Sequence, residues 1–173
     1  DWNQLYPLIL QLEQRGLVTR TFRRLDPERQ QAILNAILEE ANEQGPAFIN
    51  IKRVAERAGA SDGSLYQYFK SRQGLLTFAI ELCVRLVTDT FSQYRDMLAA
   101  MPLREALMAF LMGGVEWGHT QIGFVQFFAR AAYQGDPQLG KSVVVPIATT
   151  MRGMVSSILK AAAARGEIRA DVD

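Results

Sequence analysis

Apolar residues recur along this chain at helical spacing almost from end to end, and glycine, proline and capping residues fall between the runs. Leu5, Leu8, Ile9 and Leu12 form the first stripe, with Gly16 as its stop. Asp26-Pro27-Glu28 has the form of a helix start: a cap, a proline at the first helical position and an acid in the first turn. The helix it opens carries Ile33, Ala36, Ile37 and Ala41 on one face and ends at Gly45-Pro46, after which Phe48 is expected to dock as an anchor beneath the next elements. Ile51, Val54, Ala55 and Ala58 then stand at i, i+3, i+4 and i+7. Asn50 precedes that stripe as an N-cap, and Gly59 follows it, where a left-handed residue stops a helix. Ser61 offers a second cap, and Leu65 and Phe69 form the buried edge of another short helix. The layout is a helix-turn-helix whose exposed face is expected to carry Ser64, Tyr66, Gln67 and Tyr68.

Ser71 caps a long helix predicted from about Arg72 to Met101, striped by Leu75, Leu76, Ala79, Leu82, Leu86, Val87, Phe91, Tyr94 and Leu98. Pro102 opens the next, with Leu103, Ala106, Leu107, Phe110, Leu111 and Val115 apolar and Gly113, Gly114 and Gly118 loosening its far end. Gln121 to Tyr133 is an aromatic segment. Gly135-Asp136-Pro137 is a turn into a last helix that runs to about Arg165, with a kink expected at Pro146 and a stop at Gly166. No stretch alternates as a strand does, so the predicted fold is all-α.

A major groove admits one α-helix, and hydroxyl and amide groups on the face after Ser61 can hydrogen-bond base edges or phosphates. Lys52 and Arg53 before it and Lys70 and Arg72 after it can meet phosphates. Periodicity alone fits a helical hairpin with a solvated polar face equally well. The residues themselves say more. A-E-R-A-G-A-S-D-G-S-L-Y-Q-Y-F-K-S-R-Q-G-L-L, residues 55–76, resembles the DNA-binding segment of the tetracycline-repressor (TetR) family of transcriptional regulators. Ala55, Ala58, Gly59, Ser61, Gly63, Leu65, Tyr66, Tyr68 and Phe69 match its pattern, with Ala60 and Ser64 as mild variants. Asp62 departs from it, standing where the family usually has Lys or Arg; an acid there weakens non-specific attraction to phosphates or accepts from a cytosine amino group.

The resemblance implies a three-helix DNA-binding domain over residues 26–71, joined by the long helix to a helical effector-binding and dimerisation domain over residues 72–173. In the family two more helices follow the position of Gly166, so this second domain is expected to be incomplete at its C-terminal end. The implied partners are double-stranded DNA with a palindromic operator, a small, mostly apolar effector, and a second copy of the chain. The implied function is a repressor released from its operator by that effector. Ser61, Asp62, Gly63, Ser64, Tyr66, Gln67 and Tyr68 are the implied DNA contacts, Gln67 being the best base reader because its amide can pair bidentately with adenine. The alternative is a small-molecule-binding or interaction module of the same fold without specific DNA binding. Residues 1–25 form an N-terminal extension: either a helix packed on the DNA-binding domain, or a basic arm whose Arg20, Arg23 and Arg24 enter a minor groove.

Composition narrows the chemistry. The 173 residues are 49% hydrophobic, enough for a packed core, and the net charge of +1 excludes a polycation that coats nucleic acid indiscriminately. One cysteine, Cys83, excludes an internal disulfide framework and a Cys-rich zinc site and reads as a core or pocket-lining residue. One histidine, His119, has no second His or Cys nearby to share a metal, and no catalytic grouping or phosphate loop is evident, so neither enzyme activity, metal nor cofactor is expected. No signal sequence and no run of 18 apolar residues is seen, which points to a cytoplasmic protein without a membrane contact. The effector pocket is expected among Phe91, Met108, Met112, Trp117, His119, Phe124, Phe127, Phe128 and Met151, since such pockets are predominantly apolar. Tyr133 and Met154 share that composition, and Glu116, Gln121, Gln126 and Arg130 are further polar candidates.

Overall fold

Four of the helices begin at a side-chain cap that the sequence supplies. The computed structural model describes residues 5–133 and 137–169. In it α1 spans Leu5–Gln14, α2 Arg20–Arg23, α3 Pro27–Gln44, α4 Ile51–Ala58, α5 Asp62–Phe69, α6 Arg72–Ser92, α7 Arg95–Ala100, α8 Leu103–Thr120, α9 Ile122–Tyr133 and α10 Pro137–Ala164. Asp26 accepts from the Arg29 N–H at 2.8 Å, Asn50 from Lys52 at 3.0 Å, Ser61 from Ser64 at 3.1 Å and Ser71 from Gly74 at 3.0 Å. Each satisfies an amide that the first helical turn leaves without a partner. Gly59 stops α4 in the left-handed region, φ 60°. No strand occurs among the described residues, and the expected turn at Gly135 and Asp136 lies outside them.

One apolar core runs from Leu5 and Ile9 of α1 through α3, α4, α5 and α6 to Phe127, Ala131, Leu139 and Val143 of α9 and α10. At its centre Phe22 lies tilted against Phe69 and edge-on to Phe78, ring centroids 5.3 Å from each, and meets Tyr68 edge-on at 5.7 Å. Cys83 of α6 is buried in the same core. A smaller cluster of Leu98, Ala106, Met154 and Ile158 joins α7, α8 and α10. Its edge is fastened by Arg165, which donates to the Ala99 and Met101 carbonyls at 2.8 and 2.7 Å, and by Glu167, which accepts from the Leu103 N–H at 2.7 Å. That amide and Arg165 together hold the Glu167 carboxyl below its ordinary pKa.

Three expectations change. Phe48 is not an anchor: a tighter helical turn over Pro46–Phe48 leaves it 69% exposed and turns Ile49 inward, 1% exposed. The helix expected from Arg72 to Met101 bends after Ser92, because the Tyr94 N–H bonds to the Phe91 carbonyl three residues back at 3.1 Å. This redirects α7 so that Leu98 reaches α10. Finally, α10 is long and apolar enough, by length and composition, to cross a membrane. Here its Leu139, Val143, Met154, Ile158 and Ala162 are buried within the protein, while the rest of its length is half-buried or exposed.

Candidate nucleic-acid interface

The helix-turn-helix forms as its caps and stripe dictate, with Leu65 and Phe69 of α5 fully buried beneath it. Its outward face carries Tyr66, 51% exposed, together with exposed Ser61, Gly63 and Gln67. Asp62 and Ser64 are half-buried in the first turn, and the Ser64 and Ser61 hydroxyls lie 2.8 Å apart, so the start of α5 is pinned by its own side chains. Tyr68 is not on that face. It is 7% exposed because α2, from outside the helix-turn-helix, covers it with Phe22.

The cations divide in a way that spacing could not show. Lys52 and Lys70 are exposed. Arg53 is exposed but paired within the chain, with Glu40 at 2.9 Å and Glu43 at 2.7 Å. Arg72 instead donates to the backbone carbonyls of Ile49 and Ala47, bracing the start of α6 against the turn before α4. Arg23, expected in a minor-groove arm, is held by Glu13 and lies 3.3 Å from the Tyr6 hydroxyl. Residues 20–23 are helical, so the arm is a packed element, whereas Arg20 and Arg24 remain exposed.

Sequence spacing also missed the charge cluster behind α4. Glu40 is fully buried, Arg53 and Arg57 reach its Oε2 at 2.9 and 3.5 Å, and its Oε1 has no partner among the described residues. Arg57 also binds Glu39 and Glu43, while Arg29 donates to the Gly59 carbonyl at 3.0 Å. The hydrogen bond from Arg57, with the charges of Arg57 and Arg53 behind it, holds the Glu43 carboxyl below its ordinary pKa. In the unfolded chain Glu43 titrates near the usual value, about 4.3. Its contribution is therefore complete above that pH and lost as pH falls through the lower folded value. Thermal melts across the acid range are expected to fall less steeply for Glu43→Gln than for the parent chain; parallel acid limbs would exclude Glu43 as a source of the pH dependence.

A separate cavity of about 410 Å³ opens between α6, α7, α8 and α10. Phe91, Tyr94, Phe110, Trp117 and Met154 give it apolar walls, and the Phe91 and Trp117 rings meet edge-on at 5.5 Å. Of the candidate pocket residues, Phe91, Trp117, Met154 and the polar candidate Glu116 line it. Met108 and Met112 face outward at 53% and 58% exposure, on the opposite side of α8, and His119 is exposed. Phe127 is wholly buried in the main core, Phe124 and Phe128 pack against that core, and Met151 lies outside the cavity wall. Tyr94 and Phe110 sat on recognisable stripes, but only the bend after Ser92 turns Tyr94 and Met97 into walls. Glu116 is the one charged lining residue, and no group of His, Cys, Asp and Glu able to hold a metal occurs among the described residues.

An exposed, doubly capped second helix on a compact helical base defines a helix-turn-helix protein. Comparison with known proteins points the same way. Residues 33–77 match the model of the bacterial regulatory proteins of the tetR family. The chain is 28% identical to the HTH-type transcriptional regulator BetI of Cronobacter sakazakii over 123 residues, 68% of this chain and 59% of that one. The chain thus spans little more than half the length of that relative, and 46% of the BetI of Yersinia pestis, also 28% identical over 92 residues. A TetR-family regulator from Chloroflexus aurantiacus shares the fold, with a TM-score of 0.60 at 20% identity over 90% of this chain and 71% of the other.

Proposed function

We propose that this chain is a sequence-specific DNA-binding transcriptional regulator that works as a cytoplasmic homodimer, repressing from a palindromic operator until a small, mostly apolar effector releases it. The observation that carries the reading is the face of α5: Tyr66 and Gln67 stand outward, with Ser64 half-buried beside them, while Leu65, Tyr68 and Phe69 fix the helix to the core. Lys52 and Lys70 are the phosphate contacts of this reading, at the start of α4 and the end of α5. Two α5 helices would occupy major grooves about one helical turn apart. The effector site is the cavity between α6, α7, α8 and α10, whose lining suits an apolar compound and, through Glu116, disfavours an anionic one.

Release would be a population shift. An effector that fits one arrangement of α6 and α7 better than another favours the arrangement in which the two α5 helices no longer match the operator. Selection from a random duplex library, repeated at higher salt, tests the reading. Enrichment of a palindrome supports it and supplies the operator for effector screens; no enrichment moves the case to the module without specific DNA binding, with Asp62 in the first turn of α5 as the obstacle. Gln67→Ala is expected to cost about 1–3 kcal/mol at the base it reads while leaving other positions unchanged. A uniform loss at every position would assign Gln67 to the phosphates instead.

A further inference from the structure

Most cations around the helix-turn-helix are committed within the chain. Arg15 pairs with Glu81, Arg23 with Glu13, Arg53 and Arg57 with acids of α3, and Arg29 and Arg72 with backbone carbonyls. Arg20, Arg24, Lys52 and Lys70 have no such side-chain partner among the described residues. The lysines belong to the helix-turn-helix itself, whereas Arg20 and Arg24 are on and at the end of α2. Four residues apart on a helical turn, they project from one side of it, and Phe22 between them is 1% exposed.

What fixes α2 is a pair of hydrogen bonds from Thr19. Its N–H donates to the Tyr68 carbonyl at 3.0 Å and its hydroxyl to the Gln67 carbonyl at 2.8 Å. Both acceptors lie in the last turn of α5, where a helix leaves carbonyls without intrahelical donors. Thr19 therefore closes the C-terminal end of the helix that carries Gln67. Arg20 starts at that end, beside the neighbourhood of Lys70.

We propose that α2 extends the DNA-contacting surface: Arg20 and Arg24 bind backbone phosphate beyond the groove that α5 enters, and Thr19 is the positioning residue that ties them to α5. The proposal rests on the reading of α5 as the helix that meets DNA. It differs from a minor-groove arm in what it adds. A pair held on a packed helix supplies charge next to the backbone without reaching base edges, so it raises affinity for all sequences alike.

The test titrates the whole chain and its Arg20→Gln/Arg24→Gln variant with a mixed-sequence duplex, and with any duplex the parent chain enriches, over a salt series. Losing two phosphate contacts per protomer, four in the homodimer, lowers the magnitude of the slope of log K against log salt by about 3.6 and weakens binding on the order of several thousandfold near ~0.1 M salt, equally on both duplexes. The variant is expected to melt with the parent chain, since it replaces exposed side chains without partners. Thr19→Val should also lower the slope, but not further when Arg20 and Arg24 are already replaced, and Thr19→Ser should restore it. An unchanged slope in the double variant overturns the proposal and leaves DNA binding by α5 standing. Failure of the parent chain to bind any duplex overturns both.

Discussion

Phe22→Ala is expected to destabilise the protein by about 3–5 kcal/mol, the range for removing a buried aromatic ring from a packed core. The ring is 1% exposed and touches Tyr68 and Phe69 of α5 and Phe78 of α6, so three elements lose a shared neighbour at once. In a chain of this size such a loss lowers the melting temperature by roughly 10 °C. Thermal unfolding followed by circular dichroism measures it. The same truncation at Phe48, 69% exposed, is the control and should stay within about 0.5 kcal/mol. A loss below about 1 kcal/mol at Phe22 would mean that the two N-terminal helices merely rest on the core.

Gly74→Ala is the second large effect, at the upper end of the 1–3 kcal/mol typical of overpacking. A Cβ on Gly74 would stand 2.2 Å from the Phe69 carbonyl oxygen and 3.3 Å from the Ser71 hydroxyl. The nearer obstacle is backbone, at the end of α5, so relief requires α5 to move against α6. Lys70, between them, already holds a positive φ of 66°, which leaves the junction little freedom. At Gly113, inside α8 with nothing within 4 Å of the added carbon, the same change should stabilise by up to about 1 kcal/mol. Equal effects at the two glycines would show that contact with Phe69 does not limit the junction.

Local signals were legible and tertiary ones were not. Asp26, Asn50, Ser61 and Ser71 cap helices because a cap needs only the next three residues, and Gly59 stops α4 for an equally local reason. The all-α fold and the outward positions of Tyr66 and Gln67 follow from the same short-range rules. Tyr68 escaped because its cover, Phe22, is 46 positions away in sequence. Arg53 and Arg72 escaped because a cation's partner is invisible to periodicity: Glu40 lies on α3, and the carbonyls bound by Arg72 lie before α4. Phe48 was misplaced because one tighter turn rotates a side chain from inside to outside. The cavity was half legible. Its walls depend on the bend after Ser92, which is set by a single amide choosing the carbonyl three residues back.

The lone sulfur atom of Cys83 gives the molecule a built-in clock. It lies at zero exposure in the middle of α6, and burial pushes its thiol pKa well above the ordinary value. In the closed protein the thiolate that would attack an alkylating reagent is therefore both hidden and scarce. Labelling must wait for the core around α6 to open, and no other cysteine in the sequence can contribute to the signal. When closing is fast compared with alkylation, the labelling rate reads the fraction of molecules open at any moment. A compound that settles between α6 and α8 should lengthen the wait, so one reagent and one mass measurement can rank binders before any operator sequence is in hand.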